Sequence, residues 1–348
     1  MRTIRPGASL LTPLAGALSM LCLLLFPDLV SEAARDALNL SVSRLIPLLF
    51  PYSVLSSLML RRRWLPGRGP LSALYGFPGV CEGVLFSGIA AGFPVGAEGS
   101  AGLLREGSIS REEAGRLAAA SSVPSPAFLA GAVGTMWGDV RFGWFLWIAS
   151  NLTLLVFSRL SRDRKRARTV RKDEAVPRTS VGSAPFSRDF SKAVSDAAGS
   201  CLNVTAFIAF FRILSAVGSA LLPALRLPLT LFLEFSSGVR YGAGIGGIPG
   251  AVMTGMSAGF GGLSVLSQIA AHNADELPGG GFSLRPYLLS RIALAAVLGS
   301  AAALWFTLFS PEAASPVFLD PPAPLAAVVP VLLLMILLRF SPRPTKRA

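Results

Sequence analysis

The sequence that decides the fold is EGVLFSGIAAGFPVGA, residues 82–97. It is apolar enough to lie inside a membrane, yet it carries Glu82 and the pentapeptide Gly92–Gly96. Proline lacks the amide donor that a helix needs and glycine adopts turn conformations readily, so a helix breaks at Gly-Phe-Pro-Val-Gly. Backbone groups freed at membrane depth are tolerated only where they are buried in protein or line a cavity. The stretch therefore predicts a helix break that is either buried in protein or lines a cavity.

The composition of the whole chain indicates a membrane protein. Of the 348 residues, 52% are hydrophobic and 15% are charged, whereas a soluble domain carries about 25% charged residues. Crossing the hydrocarbon core takes about 20 apolar residues. The candidate spans are residues 8–26, 37–60, 112–136, 140–158, 198–222, 284–309 and 322–340, with glycine-rich stretches at 71–104 and 227–272. We expect an all-α polytopic protein embedded in the lipid bilayer.

The basic residues set the expected orientation. Much of the net charge of +13 lies in the run 159–178, and such runs mark the cytoplasmic side of a membrane. They also attract anionic lipid headgroups, and no nucleic-acid partner is expected. The arginine triplet 61–63 should lie on the same side. Because the spans 112–136 and 140–158 already cross the membrane twice between these two basic segments, the stretch 71–104 should enter and leave on that side as a re-entrant hairpin. The acidic residues Asp28, Glu32 and Asp36 suit an outer loop.

Two related membrane regions are expected. The predicted parts are a first span with its outer loop (1–36), a first gate-like repeat (37–158), a basic linker (159–197), a second gate-like repeat (198–340) and a basic tail (341–348). Glu82 precedes Gly92–Gly96 in one repeat, and Glu234 precedes Gly259–Ser264 in the other. Because their first spans run in opposite directions, the repeats would be inverted, as in many secondary transporters. The basic tail leaves open whether 227–272 turns back or crosses once.

A second interruption lies in the span 112–136. Pro124-Ser125-Pro126 follows Ser121 and Ser122, and two prolines this close cannot sit in an undisturbed helix. The freed carbonyls and nearby hydroxyls would suit a polar solute or an ion. The alternative is a proline kink whose serines bond back to the backbone.

Charged residues inside the apolar stretches need a reason. A carboxylate at a helix centre costs about 2.5–3.5 kcal/mol on insertion scales, so Glu82 and Glu234 suggest proton coupling, cation binding or solute contact. The alternative is a structural ion pair with Arg212, Arg240 or Arg291. Arg212 and Arg291 could themselves hold an anion. Snorkelling to the headgroups is the favoured interpretation of Arg291, which lies near the start of its helix.

The sequence does not favour an enzyme. Gly255–Gly259 matches G-x-S-x-G and His272 is the single histidine, but a nucleophile elbow needs a strand-turn-helix context. Small residues at this spacing are ordinary in closely packed membrane helices. Cys22, Cys81 and Cys201 lie in apolar stretches without metal-ligand spacing, so they are expected to be buried hydrophobes. We expect no metal and no cofactor other than a coupling ion, with Na⁺ and H⁺ both left open.

Several of these motifs together resemble a known family, the gate-domain membrane proteins of the YlbJ/SpoVV sporulation type. The resemblance covers about residues 37–310, and its motifs are Gly92–Ala97, Leu104–Ala114, Ala130–Thr135, Gly259–Val265, Gln268 and Tyr287–Arg291. That family is similar to concentrative nucleoside transporters, in which two re-entrant hairpins and broken helices enclose the substrate. The resemblance implies that Gly92, Phe93, Pro94 and Gly96 form one hairpin tip, and that Gly259, Gly261, Gly262 and Ser264 form the other.

The resemblance also implies a function. Its sporulating relatives are associated with moving dipicolinic acid, so the expected activity is movement of a small polar or anionic solute. The membrane would be the bacterial inner membrane or a forespore membrane, and assembly of several copies is left open. Where the family commonly has an Asn-Asn-Ser-Gly-Pro-like sequence, this chain has Ser121–Pro126, which lacks the two side-chain amides and so offers different hydrogen-bonding groups. The rival is a non-transporting protein of the same fold that acts in assembly or spore maturation.

The candidate residues for binding the solute or ion are Glu82, Gly92, Phe93, Pro94, Gly96, Ser121, Ser122, Ser125, Glu234, Gly259, Gly261, Gly262, Ser264, Gln268 and Arg291.

Overall fold

The computed structural model describes residues 11–62, 64–65, 69–161, 185–274 and 281–309, and these ranges contain helices and no β-strand. The expected span 322–340 and the tail 341–348 lie outside the described residues, as does most of the basic run 159–178. The side of the membrane that holds the C-terminus therefore stays open.

The first half of the chain forms nine α-helices within the described residues. They are α1 (Leu11–Leu25), α2 (Pro27–Leu40), α3 (Ile46–Arg62), α4 (Pro70–Tyr75), α5 (Glu82–Ala91), α6 (Val95–Arg105), α7 (Arg111–Ser121), α8 (Gly134–Met136) and α9 (Val140–Leu160). A π-helical segment, Ser41–Leu45, joins α2 to α3, and another, Ala127–Val133, leads into α8.

The second half forms six described α-helices. They are α10 (Phe186–Leu221), α11 (Arg226–Leu233), α12 (Phe235–Ile245), α13 (Gly247–Phe260), α14 (Gly262–Ala274) and α15 (Arg285–Phe309). Helix α10 begins before the expected span 198–222, so the last residues of the expected linker, 186–197, are helical.

Three of the described helices are long and apolar enough to cross a membrane, namely α9, α10 and α15. A fourth crossing is available if α1 and α2, which meet at an angle of 94°, together form one bent span. Only 28–33% of the most apolar stretch of each long helix is buried within the chain, and the exposed residues include large apolar side chains such as Leu152, Phe210 and Leu304, as expected for contact with lipid. An integral membrane protein follows from these helices.

The acidic residues Asp28, Glu32 and Asp36 do not form the expected outer loop. They lie in α2, which begins at Pro27, a residue suited to the first turn of a helix. Helix α2 packs against α10 and buries Ala33 and Ala37. Because one face of this segment is apolar, it forms a helix despite its charge.

The first hairpin is built from α5 and α6. The two helices pack against each other, and the chain reverses at Gly92–Pro94, where Gly92 has φ +82°. This region of φ is open to glycine and strained for other residues. The structure therefore has the break that the sequence predicts at Gly92–Gly96.

The second hairpin reverses at Glu234, between α11 and α12. A Cβ atom on Gly238 would lie 3.2 Å from the Cα of Leu231. Residues seven apart in one continuous helix are separated by about two turns, so the chain turns back between these two residues. Gly261 and Gly262 instead interrupt the segment α13–α14, with φ of +82° and +76°. Helix α13 packs against α15, and α14 packs against α10 and α6, so this interruption does not form a hairpin. The prediction that Gly259, Gly261, Gly262 and Ser264 form the second tip is wrong.

The first half of the chain also contains an interrupted helix, which begins with α7. Helix α7 begins with a capping box in which Ser110 and Glu113 bond each other's backbone amides. It ends at Ser121, and the chain resumes as a helix at Ala127. Both halves thus contain, in order, a long helix, a hairpin, a broken helix and a long helix. That the halves are inverted repeats stays a prediction.

Candidate functional site

The two hairpin tips and the two broken helices meet in the interior of the protein. The ring of Phe93, at the first tip, lies 5.2 Å from the ring of Phe235, beside the second tip. The ring of Phe128, just after the first helix break, lies 4.8 Å from Phe235. A cavity of ≈ 30 Å³ lies among them, lined by Leu45, Leu49, Phe93, Pro124, Ser125, Phe128, Val204, Ile208, Phe235, Val265 and Gln268. We call it the central cavity.

The first tip lies directly against the first helix break. The amide of Phe93 donates a hydrogen bond to the carbonyl of Val123 at 3.0 Å. A Cβ atom on Gly92 would lie 2.7 Å from the amide nitrogen of Ser125, and one on Gly96 would lie 2.3 Å from the carbonyl oxygen of Ser121. Real Cβ atoms essentially never come this close, so glycine at these positions permits the contact.

The second tip is in contact with the second helix break. A Cβ atom on Gly262 would lie 3.1 Å from the carbonyl oxygen of Leu233 and 3.3 Å from the Cα of Glu234. Gly262 is thus at the break itself, whereas Gly259 serves a different contact. A Cβ atom on Gly259 would lie 2.6 Å from the carbonyl oxygen of Leu294 in α15. Gly259 therefore permits helix packing and does not line the cavity.

Arg291 stabilises the first helix break from the opposite half of the chain. Its Nη1 donates to the carbonyl of Ser122 at 2.6 Å, and its Nη2 donates to the carbonyl of Ala119 at 3.1 Å. The guanidinium also lies 4.9 Å from the ring centre of Tyr287. The side chain is buried at 1% exposure. The expectation that Arg291 snorkels is wrong, because the break frees carbonyls that need donors.

Glu234 is the N-cap residue of α12. Its carboxylate accepts from the amides of Ser236 and Ser237 at 2.9 and 2.8 Å, and from their hydroxyls at 2.6 and 2.8 Å. Arg212 Nη2 lies 3.6 Å away, and Arg212 Nη1 donates to Asp36 at 2.8 Å. Asp36 also pairs with Arg240 at 2.9 Å. The structural ion pair with Arg212, one of the sequence alternatives, is present.

Glu82 lies away from the central cavity. Its carboxylate accepts from the amides of Leu71 and Ser72 at 3.2 and 2.6 Å, at the start of α4. A negative charge is stabilised at the N-terminal end of a helix, which accounts for this buried carboxylate from the residues that the structure describes. The two carboxylates that the sequence singles out therefore hold local structure.

The serines of the first break differ in what they bind. Ser121 donates to the carbonyl of Leu117 at 2.7 Å, as the back-bonding alternative predicts, and Ser125 accepts from the amide of Phe128 at 3.1 Å. The hydroxyl of Ser122 is buried without a hydrogen-bond partner among the described residues.

Other buried polar atoms near the second break also lack partners within the described part of the chain. They are the hydroxyls of Ser264 and Tyr287 and the Oε1 atom of Gln268. Unpartnered buried polar groups are costly and call for water, an ion or a ligand. Of these side chains, Gln268 lines the central cavity. The sequence thus selected polar residues that the fold leaves available.

Sequence reasoning missed several residues of this region. Asp36 was assigned to a loop, and Phe128, Phe235 and Tyr287 were not weighed as site residues. Three phenyl rings enclose the cavity, yet in the sequence each is an ordinary apolar residue. Ser257, in the G-x-S-x-G match, lies inside α13, as expected from close helix packing.

The comparisons with known proteins agree with the motifs. The chain is similar to the sporulation integral membrane protein YlbJ of Bacillus subtilis (strain 168), with 29% identity over 218 residues. The alignment covers 58% of this chain and 53% of that relative, so the chain spans about half the length of the relative it matches. No family model and no solved structure matches. The resemblance to the YlbJ-type family is confirmed, and the chain is an integral membrane protein similar to that sporulation protein.

Proposed function

We propose that this protein moves a small polar or anionic solute across a membrane. The observation that supports the proposal is the meeting of both hairpin tips and both helix breaks at one buried cavity. Unwound backbone inside a membrane domain is tolerated only where it is buried in protein or lines a cavity, and secondary transporters place their substrate where such broken helices meet. The inverted relation of the two halves is part of this proposal.

The lining of the central cavity suggests the solute's chemistry. Phe93, Phe128 and Phe235 offer ring faces and edges, which suit a planar aromatic solute. Gln268 and Ser125 offer polar groups that could orient it. Among the described lining residues there is no charged side chain, and the guanidinium of Arg291 is already bonded to carbonyls.

An anion would therefore depend on backbone amides. Helix α6 begins at Val95, next to the first tip, and its N-cap, Pro94, provides no side-chain hydrogen bond. Amides at a helix N-terminus bind anions well. Dipicolinate, the solute that the family resemblance suggests, has two carboxylates and an aromatic ring, and a nucleoside offers an uncharged alternative. A forespore or inner-membrane location belongs to the same proposal.

The central cavity is small in the described structure. A single water needs about 10–15 Å³ on this measure, so ≈ 30 Å³ accommodates one or two waters and no organic solute. Movement of the hairpins would have to open it. Alternating access works in this way, by one group of helices moving against another around a fixed site.

Uptake by purified protein in liposomes tests the proposal. Labelled dipicolinate and labelled uridine are offered separately, with no gradient, a Na⁺ gradient or a proton gradient. We expect uptake of one solute above that of empty liposomes, and a loss of at least about five-fold in Gln268→Ala, because one buried polar contact is worth about 1–3 kcal/mol. Ser267→Ala, the neighbouring residue outside the cavity lining, is the matched control and should transport normally.

A non-transporting role of the same fold is the second candidate. It is favoured by the carboxylates of Glu82 and Glu234, which are both engaged in local structure, and by the small cavity. If folded protein takes up neither solute under any of the three conditions, the second candidate is supported and transport is contradicted.

A further inference from the structure

A second and larger cavity lies beside the first hairpin. Its volume is ≈ 710 Å³, and its lining includes Ser53 and Arg61 of α3, Gly83 of α5, Glu98 and Gly102 of α6, and Asp196 of α10. This size is in the range of small-molecule sites, about 300–1,000 Å³. It lies where α3 ends and α10 begins, and Arg61 is among its lining residues. We call it the vestibule.

Glu98 is a half-buried carboxylate in the lining of the vestibule. Within the described residues its carboxylate has no hydrogen bond and no ion pair. Glu82 and Glu234, by contrast, accept from two and four donors respectively. Of these three carboxylates, Glu98 is thus the one whose oxygens are left to bind something else.

The charged groups that face Glu98 come from three elements. They are Asp196 of α10, Arg61 of α3 and Arg105 of α6 itself, and Glu106 also lines the vestibule. Arg61 is already committed, because it donates to Asp196 and to the hydroxyl of Ser57. Arg105 donates to the carbonyl of Ala101 at 3.4 Å. The residues that α5 adds to the lining, Gly83 and Val84, carry no charge.

Helix α6 connects Glu98 to the central cavity. The amide of Glu98 donates to the carbonyl of Pro94 at 3.0 Å, so Glu98 lies one helical turn from the first tip. The face of α6 that carries Gly96 packs against Ser121 of α7. The face that carries Glu98, Gly99 and Gly102 borders the vestibule. A change of charge at Glu98 therefore acts on the hairpin whose tip closes the central cavity.

We propose that Glu98 is a proton-binding site that couples movement of the first hairpin to a proton gradient. The proton comes from water in the vestibule, binds a carboxylate oxygen of Glu98 and returns to water when the carboxyl ionises. Binding removes the repulsion from Asp196 and the cost of keeping a charge in a half-buried site. The coupling rests on the transport function proposed above, whereas proton binding by Glu98 does not.

The first test needs no solute. Infrared difference spectra of the membrane-embedded protein are recorded as the pH is lowered from about 8 to about 5. This interval lies above the ordinary pKa of a glutamate carboxyl. We expect a band from a newly protonated carboxyl that is absent in Glu98→Gln and retained in Glu106→Gln, a control at the same vestibule. A band unchanged by Glu98→Gln, or no band at all, overturns the proposal.

The second test measures coupling. Uptake of dipicolinate or uridine, whichever the wild type carries, is measured with and without an inward proton gradient. Glu98→Gln should exchange solute across the membrane at a rate within about three-fold of wild type and lose the stimulation by the gradient. Glu98→Asp should keep the stimulation. A Glu98→Gln variant that is still stimulated, or a wild type driven by Na⁺ alone, overturns the coupling, and a wild type that carries neither solute contradicts the transport function instead.

Discussion

The two hairpins of this protein reach the same cavity by different physical means. The first tip, Gly92–Pro94, is held by close backbone contact, and glycines let it approach Ser121 and Ser125. The second tip, at Glu234, is held by charge, through Arg212, Asp36 and Arg240. The first hairpin also borders a large vestibule, whereas the second is tied to α2 and α10.

This difference suggests a division of labour. The contact of the first tip involves one backbone hydrogen bond, from the amide of Phe93 to the carbonyl of Val123, and no charged side chain, so moving it costs less. A buried carboxylate with five donors nearby is expensive to move, because each lost partner leaves a desolvated polar group. We therefore expect the first hairpin to be the mobile gate and the second to be the fixed one.

The largest effect is expected from Arg212→Met, which leaves Glu234 buried without its cation. Removing one partner of a buried ion pair costs about 3–5 kcal/mol. Arg240→Met is the matched control: Arg240 pairs with the same Asp36 but its side chain is 48% exposed, and exposed pairs contribute about 0–1 kcal/mol. Thermal unfolding in detergent measures both variants. Equal losses of stability would show that charge burial does not hold the second tip.

A smaller effect is expected from Gly96→Ala in the first hairpin. The new methyl group would lie 2.3 Å from the carbonyl oxygen of Ser121, and overpacking of this kind costs about 1–3 kcal/mol.

The control for Gly96→Ala is Gly102→Ala, two turns further along α6, where nothing lies within 4 Å of the new atom. There the substitution should stabilise by about 0.4–1 kcal/mol by restricting the unfolded chain. The two variants should thus change the free energy of unfolding in opposite directions. The same sign for both would contradict the close approach of α6 to α7.

Arg291→Lys tests whether the second half holds the break of the first. Lysine cannot donate to the carbonyls of Ser122 and Ala119 in the same forked geometry, so we expect a loss of about 1–2 kcal/mol. Arg285→Lys, an exposed position at the start of the same helix, should be silent. Denaturant unfolding compares the two, and a silent Arg291→Lys would mean that the break is stable by itself.

The smallest effect is expected from the side chains that accept a hydrogen bond at the start of α9 and at the start of α15. The side-chain hydrogen bond from Arg141 lowers the pKa of Asp139, the N-cap residue of α9, below its ordinary value. A lowered pKa means that the stabilisation is present near pH 7 and is lost as the pH falls through the lowered value. Asp139→Asn should cost about 1 kcal/mol or less at pH 7 and nothing in strong acid.

The residue compared with it in the second half is Ser283, two positions before α15 begins, whose hydroxyl accepts from the amide of Arg285 at 3.3 Å. Because a hydroxyl does not titrate in this range, the loss in Ser283→Ala should be the same at both pH values. A pH dependence shared by both variants would assign the effect to another group.

The first hairpin and the first helix break could be predicted from the sequence because proline and glycine act locally. Gly92–Gly96 and Pro124–Pro126 each contain residues that cannot continue an ordinary helix. Their contact with each other depends on tertiary packing. The structure adds the hydrogen bond from Phe93 to Val123.

The tip of the second hairpin was predicted at the wrong place because the residues of Gly259–Ser264 are similar to those of Gly92–Gly96. The two segments share glycine and phenylalanine, but the first has a packed return helix and the second does not. The real tip, Glu234, carries no proline. Its reversal depends on a carboxylate that caps α12 and on Arg212 from another helix, and neither leaves a local signal.

The partners of the buried charges also could not be predicted. Arg291 lies 169 positions from Ser122, and Arg212 lies 176 positions from Asp36. Its position near a helix start suggested that Arg291 reaches the headgroup region of the membrane. In the structure its side chain is buried and donates to carbonyls freed at a distant helix break. Such pairings depend on tertiary packing, which one sequence does not reveal.

Crosslinking of the two tips tests the central claim most directly. Phe93→Cys and Phe235→Cys are combined after Cys22, Cys81 and Cys201 are replaced by alanine, and membranes are treated with a short bifunctional thiol reagent. Since the native rings are 5.2 Å apart, we predict efficient crosslinking that stops solute uptake, and none in the control pair Phe86→Cys with Phe235→Cys. A Phe93→Cys/Phe235→Cys pair that does not crosslink, or one that still transports when crosslinked, would contradict a shared cavity closed by the two hairpins.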